Sequence, residues 1–265
     1  MPPAQRRSRA RTYDAAKLRA AVAAQLTHVR ETVAGLSDEQ WALPTRLGDW
    51  TVRDLVVHIA LGADSVRTYL AKPAPPVREV TVLDWPSATA AVATAVDARA
   101  RTVAASTEPL EILDRADERL AEALASAPDE RLLAARLGAM RLDDFLVTRC
   151  VELTVHSDDL AAALGTAVPL DRQALAAATR VLADSLAAKA PGGSVEVRIP
   201  PYAVVQCVEG PRHTRGTPPN VVETDPLTWI RLATGRTSWA DALGDAAVSA
   251  SGERADLSAL LPLLG

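Results

Sequence analysis

Apolar residues recur every three or four positions through most of residues 13–165, which is typical of helices that bury one face. Thr51, followed by Asp54 three residues later, matches a capping box and predicts where one of these helices begins. Gly165 is a typical stop signal after the longest of them. The predicted helices are 13–35, 51–71, 87–106, 109–127 and 140–164. Such helices can form a four-helix bundle with a long crossover, and bundles of this kind place metal ligands on facing helices.

The pattern changes after residues 166–170, where short alternating or β-branched runs replace much of the helical spacing. Strands are predicted at 195–201, 203–210 and 246–253, helices at 171–189, 225–235 and 255–264, and a polar loop at His213–Asn220. Helices around a few strands are typical of an α+β domain. The sequence therefore predicts a mainly α protein of two domains, with a disordered tail at 1–12, a four-helix bundle at 13–166 and a small α+β domain at 170–265.

Composition supports a helical protein with a sizeable core, because 48% of the residues are hydrophobic and only 3% are aromatic. The apolar residues are mostly Ala, Leu and Val, of which Ala and Leu are strong helix formers.

The net charge of −4 gives no general attraction for nucleic acid. No apolar run approaches the roughly 20 residues of a membrane span. Cys150 and Cys207 lie far apart, which argues against a disulfide. We therefore expect a cytoplasmic protein without nucleic-acid or membrane partners, and the sequence leaves its oligomeric state open.

The candidate chemistry centres on the helix that carries Glu152 and His156, which are four residues apart. Residues at this spacing share a helix face one turn apart, so the carboxylate and the imidazole can reach one metal ion. His58 lies on the apolar side of another predicted helix and is therefore expected to point into the protein. Two imidazoles and one carboxylate are a common catalytic zinc set, with a fourth position open to water or substrate.

The residues alone leave other interpretations of this cluster open. The same set could hold nickel, iron or manganese. Alternatively, Glu152 and His156 form an intrahelical pair and His58 is an ordinary core residue. In a metal site, Asp54 and Asp159 are candidates to accept hydrogen bonds from the distal imidazole nitrogens.

Several other kinds of catalysis lack their sequence signature. The chain contains no G-x-S-x-G turn, no phosphate-binding loop and no dinucleotide fingerprint. Cys150 lies about 200° around the helix from Glu152 by ideal geometry, so its thiol is expected to face away from the cluster.

Two segments, LGDWTVRDLVVHIA and ELTVHSDDLAAALG, resemble signatures of the mycothiol-dependent maleylpyruvate isomerase N-terminal domain family. The likeness extends over about residues 13–165. It implies a DinB-like, metal-dependent four-helix bundle. In this family zinc is held by the histidine of the first segment and by the glutamate and histidine of the second, which are His58, Glu152 and His156 here. The resemblance also implies mycothiol as a co-substrate and an actinobacterial source.

The stretch from Asp225 to Leu264 resembles bacterial sterol-carrier-protein-like domains, which are α+β folds with an apolar groove. The isomerase family carries a small C-terminal domain of this type, from which an arginine reaches the active site. Arg236, in the sequence Thr-Gly-Arg, is the best match to that arginine, and Arg231 is the next. The resemblance therefore implies that Arg236 is a catalytic residue that binds a substrate carboxylate.

Three functions compete at this point. The first is a metal-dependent enzyme in which zinc activates a low-molecular-weight thiol, mycothiol, for isomerisation or thiol transfer on a small electrophile. The second is a non-enzymatic carrier that binds a lipid or another hydrophobic ligand through its C-terminal domain, with a vestigial or structural metal site. The third is a regulatory or interaction protein that has the fold without the chemistry, since one fold hosts many functions.

Overall fold

The computed structural model describes residues 11–210 and 218–264 of the chain. Residues 1–10 of the predicted tail lie outside the described residues, and so does most of the loop predicted at His213–Asn220. The chain's contacts group it into two compact units. Among the described residues, the first unit comprises 15–178 with 264, and the second comprises 179–210 and 218–263 with 11–14.

The first unit is almost entirely helical, and the second is smaller and contains a sheet, which confirms the predicted fold class. The helices of the first unit are α1 (Ala15–Val33), α2 (Asp38–Trp41), α3 (Val52–Leu70), α4 (Trp85–Ala88), α5 (Ala93–Ala104), α6 (Pro109–Leu124) and α7 (Leu142–Leu164). A single 3-10 turn, Thr89–Val92, links α4 to α5.

The core of this unit lies between the four long helices α1, α3, α6 and α7. Helix α3 packs against α6 and α7, and α1 also packs against both of these helices. Each helix contributes fully buried leucines at its apolar positions, among them Leu26, Leu55, Leu120 and Leu146. Because burying one such side chain stabilises the fold by roughly 1.5–3 kcal/mol, these apolar stripes determine which faces meet. The predicted four-helix bundle is confirmed in this part of the chain.

The start of α3 and the end of α7, the two helices that carry the candidate ligands, lie where the sequence predicts them. Thr51 and Asp54 form the capping box of α3, in which the Asp54 carboxylate accepts from the Thr51 backbone N–H at 2.9 Å. Helix α7 ends at Gly165, whose φ of 64° lies in the left-handed region that glycine adopts without a steric cost.

A short β-hairpin precedes α7, and the sequence prediction was wrong in this segment. Strands β1 (Leu132–Ala135) and β2 (Gly138–Arg141) pair antiparallel, with Leu133 opposite Met140. The helix predicted from Met140 therefore begins only at Leu142. Met140 is buried in the hairpin, as an apolar residue would also be in a helix, so its hydrophobicity does not distinguish the two.

Among its described residues, the second unit contains a four-stranded sheet. Its strands β3 (Val195–Ile199), β4 (Ala203–Cys207), β5 (Val221–Thr224) and β6 (Val248–Ser251) are ordered β4-β3-β5-β6. Strands β3 and β5 are parallel, and the other neighbours are antiparallel. Its helices are α9 (Pro226–Ala233) and α10 (Trp239–Gly244), whereas α8 (Arg172–Lys189) crosses the division between the units.

Three features of this unit differ from the prediction. Helix α10 was not predicted, and neither was strand β5, whose strand signal comes only from Val221, Val222 and Thr224. The helix predicted at 255–264 is wrong, since the structure has one 3-10 turn at Ser258–Leu260. Pro262 explains the difference, because it has no backbone N–H and disfavours a helical conformation in the residue before it.

Within residues 11–210 and 218–264, no helix combines the length and the apolar character that crossing a bilayer requires.

The first turn of α7 contains an acid whose titration should affect stability. Burial, followed by the neighbouring charge of Asp143, raises the pKa of Asp144 to about 6. The folded protein therefore binds this proton more tightly than the unfolded chain, whose ordinary pKa is about 3.9. The free energy of unfolding consequently falls as the pH rises from about 4 to about 6. Asp144→Asn should remove this pH-dependent loss of stability. The substitution should therefore raise the free energy of unfolding more at pH ~7.5 than at pH ~4.5, by about 1–2 kcal/mol.

Urea unfolding of both proteins at the two pH values measures this difference. Asp49→Asn is the control, because the Asp49 side chain is 95% exposed and makes only one distant ion pair among the described residues. An equal effect of Asp144→Asn at both pH values would contradict the prediction.

Candidate metal centre

The structure brings His58, Glu152 and His156 together between α3 and α7. The Nε2 atom of His58 lies 3.2 Å from Glu152 Oε2 and 3.1 Å from His156 Nε2. His156 Nε2 lies 3.4 Å from the same glutamate oxygen. These three ligand atoms form the one group of its kind among the residues that the structure describes.

Helix geometry and burial explain why the three side chains converge. Helix α3 packs against α7, and its buried residues Ile59 and Ala63 line the pocket together with His58. On α7, the spacing of four residues places Glu152 and His156 one turn apart on the side that faces α3. The side chains of His156, His58 and Glu152 are 11%, 13% and 23% exposed, so the two imidazoles are more deeply buried than the carboxylate.

The separations fit a single small metal ion. Ligand atoms about 2.0–2.1 Å from a tetrahedral Zn²⁺ lie about 3.3 Å from one another. The three measured separations are 3.1, 3.2 and 3.4 Å, so the side chains are already spaced as three ligands of one ion. Two imidazoles and one carboxylate match the donor set of catalytic zinc sites.

The local electrostatics favour the protonation state that a metal requires at His58 and Glu152, whereas at His156 they favour the protonated ring, whose proton a metal would have to displace. Burial lowers the pKa of the His58 imidazole, which favours its neutral form. Burial by itself would raise the pKa of Glu152, but hydrogen bonds from the two imidazoles and the charge of Arg149 hold it well below its usual range. Burial would likewise lower the pKa of His156, and hydrogen bonds to Asp159 and Glu152 raise it instead.

Asp159 fixes the orientation of one candidate ligand. Its buried carboxylate accepts from His156 Nδ1 at 2.9 Å, so that Nε2 of the same ring faces Glu152 and His58. The other carboxylate oxygen of Asp159 pairs with Arg46, which also pairs with Asp158. The sequence prediction that Asp159 accepts from a distal imidazole nitrogen is therefore confirmed for His156. Carboxylates in this position typically set the tautomer of a metal-binding histidine.

The second predicted acceptor, Asp54, has a different role. Its carboxylate accepts from the backbone and the side chain of Thr51 in the capping box. His58 is instead held by ring contacts. The Trp50 ring lies tilted against it at 5.1 Å between centroids, and the His156 ring meets it edge-on at 4.8 Å. The Trp50 indole N–H donates to Asp97, which fixes the indole beside the site.

The cluster lines a small pocket whose wall includes residues that the sequence analysis missed. The lining residues are His58, Ile59, Gly62, Ala63, Arg149, Glu152, Leu153 and His156. Its cavity volume of about 10 Å³ is about the room that one water molecule needs. Arg149 could have been recognised from the sequence, because it lies three residues before Glu152 on the same face of the helix.

Cys150 and Arg236, which were also considered from the sequence, are not among the residues that line this pocket. Cys150 is fully buried, does not line the pocket, and has a thiol pKa raised to about 12 by burial, in agreement with the expectation that it is not a nucleophile. Arg236 follows α9 in the second unit, where its Nη1 donates to Thr234 O at 2.7 Å. Its role as a substrate-binding residue stays a prediction, and the same holds for Arg231.

Comparison with known families matches both parts of the chain. Residues 22–161, more than half of the sequence, match a family described as the mycothiol maleylpyruvate isomerase N-terminal domain. Residues 171–263 match a family described as bacterial SCP ortholog. No curated protein matches the chain. The two matched ranges confirm the resemblances found in the sequence.

Solved structures show the same fold. A crystal structure of the mycothiol-dependent maleylpyruvate isomerase is 15% identical to this chain, with a TM-score of 0.58. A crystal structure of a histidine-to-alanine mutant of the mycothiol-dependent maleylpyruvate isomerase is 14% identical, with a TM-score of 0.57. In both cases the similarity covers 90% of this chain and 93% of the other. At such low identity the likeness establishes the fold alone.

The hydrogen bond between Asp159 and His156 generates a prediction about metal affinity. Asp159→Asn keeps the size of the side chain but replaces the carboxylate that orients the imidazole. We expect the affinity for Zn²⁺ to fall roughly 10- to 100-fold, as for other residues that support metal ligands. Competition against a chromophoric zinc chelator measures the change.

Asp158→Asn is the matched control, because Asp158 is the neighbouring residue and pairs with the same Arg46. The control should change the zinc affinity less than roughly threefold. Equal losses in the two variants would show that disturbing Arg46, rather than His156, is responsible.

Proposed function

Since the chain belongs to the mycothiol maleylpyruvate isomerase N-terminal domain family, we propose that it is a metal-dependent enzyme that uses a low-molecular-weight thiol. Mycothiol is the proposed thiol, and the reaction is an isomerisation or a thiol transfer on a small electrophilic substrate. The observation that carries the proposal is the convergence of His58, Glu152 and His156 at separations of 3.1–3.4 Å. Zinc is the proposed ion, because this donor set and spacing suit it.

The metal accounts for one part of the chemistry. A bound divalent ion supplies a Lewis acid that keeps a coordinated thiol deprotonated at neutral pH. Three protein ligands leave room for such an exogenous group. The single carboxylate, Glu152, offsets one unit of positive charge and leaves the site attractive to an anion.

The chain's own thiols support the use of an external nucleophile. Cys150 and Cys207 are buried, and burial raises the thiol pKa of the first to about 12 and of the second to about 11. A thiol with so high a pKa is a poor nucleophile near neutral pH. Neither cysteine lines the pocket. Thiol chemistry at this pocket therefore needs a thiol that is not part of the protein.

The remaining residues position the reactants and limit access of water. Asp159 holds the His156 ring so that Nε2 points toward the other two ligands. Ile59, Ala63 and Leu153 provide apolar walls beside these polar groups. In this proposal Arg236 binds a substrate carboxylate, since a guanidinium can donate two parallel hydrogen bonds to the two oxygens.

A carrier for a hydrophobic ligand is the second candidate function. The observation that favours it is the match of residues 171–263 to the bacterial SCP ortholog family. In that case the metal cluster of the first unit would be structural or vestigial. Organic extraction of the purified intact protein, followed by mass spectrometry, tests this alternative. A stoichiometric lipid without thiol-dependent turnover would favour the carrier over the enzyme.

The enzyme proposal predicts one bound divalent ion per chain. We expect His58→Ala and His156→Ala each to lose the ion, because two remaining ligands hold Zn²⁺ far more weakly than three. Thiol-dependent turnover of a panel of electrophiles should be lost in the same variants. Elemental analysis after exhaustive dialysis measures the ion, and circular dichroism checks that the variants are folded.

His28→Ala is the control, since this histidine of α1 has a buried ring nitrogen and does not line the pocket. It should keep the full metal content. Retention of the ion by both the His58 and His156 variants would refute the metal site.

A further inference from the structure

Arg149 is a cation on the pocket wall that has no acidic partner within the described part of the chain. It lies on α7, three residues before Glu152, and lines the same pocket as the three candidate ligands. None of the ion pairs among the described residues includes it. An arginine beside a metal cluster and outside any ion pair has charge and hydrogen-bonding capacity left for a ligand.

Neutral groups hold the guanidinium in place. The hydroxyl oxygen of Thr148 accepts from Arg149 Nε at 3.2 Å and from Nη2 at 3.1 Å. The Thr148 hydroxyl itself donates to the backbone carbonyl of Phe145 at 2.7 Å. The Arg149 Cζ atom lies 4.7 Å from the centroid of the Phe145 ring, within the range of a cation–π contact. These contacts orient the charge without neutralising it.

The guanidinium keeps most of its donors available. An arginine side chain has five N–H donors, and Thr148 accepts from two of them. Among the residues that the structure describes, Nη1 has no hydrogen-bond partner, and this nitrogen lies at the edge where α3 meets the pocket. Two parallel donors on one face of a guanidinium match the two oxygens of a carboxylate.

Gly62 on α3 provides the space for this arrangement. A Cβ atom at Gly62 would lie 3.2 Å from Arg149 Nη1, closer than ordinary van der Waals contact. Glycine is unfavourable inside a helix, yet Gly62 lies in the interior of α3, one turn after His58. The close approach of the guanidinium gives a physical reason for glycine at this position.

The charge balance of the pocket indicates the sign of its ligand. The carboxylate of Glu152 is shared by two imidazoles and belongs to the candidate metal cluster. A divalent ion, Arg149 and Arg46 would bring four positive charges against the three carboxylates of the surroundings, those of Glu152, Asp158 and Asp159, which leaves one net positive charge. A partly buried excess of positive charge is costly unless an anion offsets it.

We propose that Arg149 forms a carboxylate-binding subsite next to the metal cluster and thereby selects an anionic electrophile as the substrate. Its part in catalysis rests on the proposed function, whereas the binding of the carboxylate does not. The subsite is on the same helix as two of the ligands and is independent of Arg236. Arg149 is a specificity-determining residue in this proposal, since it binds a part of the substrate that does not react.

Isothermal titration calorimetry of the intact protein with succinate tests the subsite, with succinamide as the uncharged matched ligand. The titrations are done on the zinc-loaded protein and on protein stripped with EDTA. We expect succinate but not succinamide to bind in both states, and Arg149→Gln to weaken succinate binding roughly 10- to 100-fold in both. Arg149→Lys should restore part of the affinity, because it keeps the charge but loses the planar fork.

Arg115→Gln is the control, since Arg115 lies on α6 and forms an exposed pair with Glu111. If Arg149→Gln does not fold, Gly62→Ala provides the second variant, because its methyl group would force Arg149 Nη1 to move by a few tenths of an ångström and should weaken succinate binding. Absence of succinate binding to the wild type overturns the proposal. Normal succinate binding by Arg149→Gln also overturns the proposal. The same holds if succinate binds only to the zinc-loaded protein, since the ion rather than Arg149 would then hold it.

Failure of the enzyme proposal is recognised separately, by the absence of thiol-dependent turnover in a protein that still binds succinate in the metal-free state.

Discussion

Packing of α3 against α7 brings an imidazole of one helix within 3.1–3.2 Å of a carboxylate and an imidazole of the other. Apolar residues surround the polar cluster at this contact, among them Ile59, Ala63 and Leu153. The close packing of these helices fixes the positions of the polar atoms between them, since protein interiors are as dense as organic crystals. The polar cluster is therefore held by its apolar surroundings, and its geometry does not depend on a flexible loop.

Polar contacts then refine what the packing provides. Arg46, from the connection between α2 and α3, pairs with Asp159, and Asp159 accepts from the His156 ring. On the other side, Thr148 and Phe145 orient Arg149 along the pocket wall. Together these contacts make one face of α7 carry two candidate ligands and a cation in fixed register, at positions 149, 152 and 156.

The helical bundle could be predicted from the sequence, because helix periodicity and the Thr51 capping box are local signals. The same signals gave the cluster of His58, Glu152 and His156 as one interpretation among several, and the family resemblance singled it out. The β1–β2 hairpin could not, since whether Met140 is in a strand or a helix depends on its pairing with Leu133. The spacing from Glu152 could have placed Arg149 on the ligand-bearing face of α7, but its proximity to Gly62 required the structure, because the two residues are distant in the chain. The wrong helix at 255–264 shows the opposite case, in which a local signal, Pro262, was available and was outweighed by the apolar spacing.

The candidate ligands come from distant parts of the chain, since His58 and Glu152 are 94 positions apart. An ion held by both would act as a cross-link that closes this long loop in the folded state. The unfolded chain has no such preformed set of ligands, so the free energy of binding would add directly to the free energy of folding. The ion would therefore join the two helices mechanically, and a chelator in the surrounding solution would lower the melting temperature of the whole bundle.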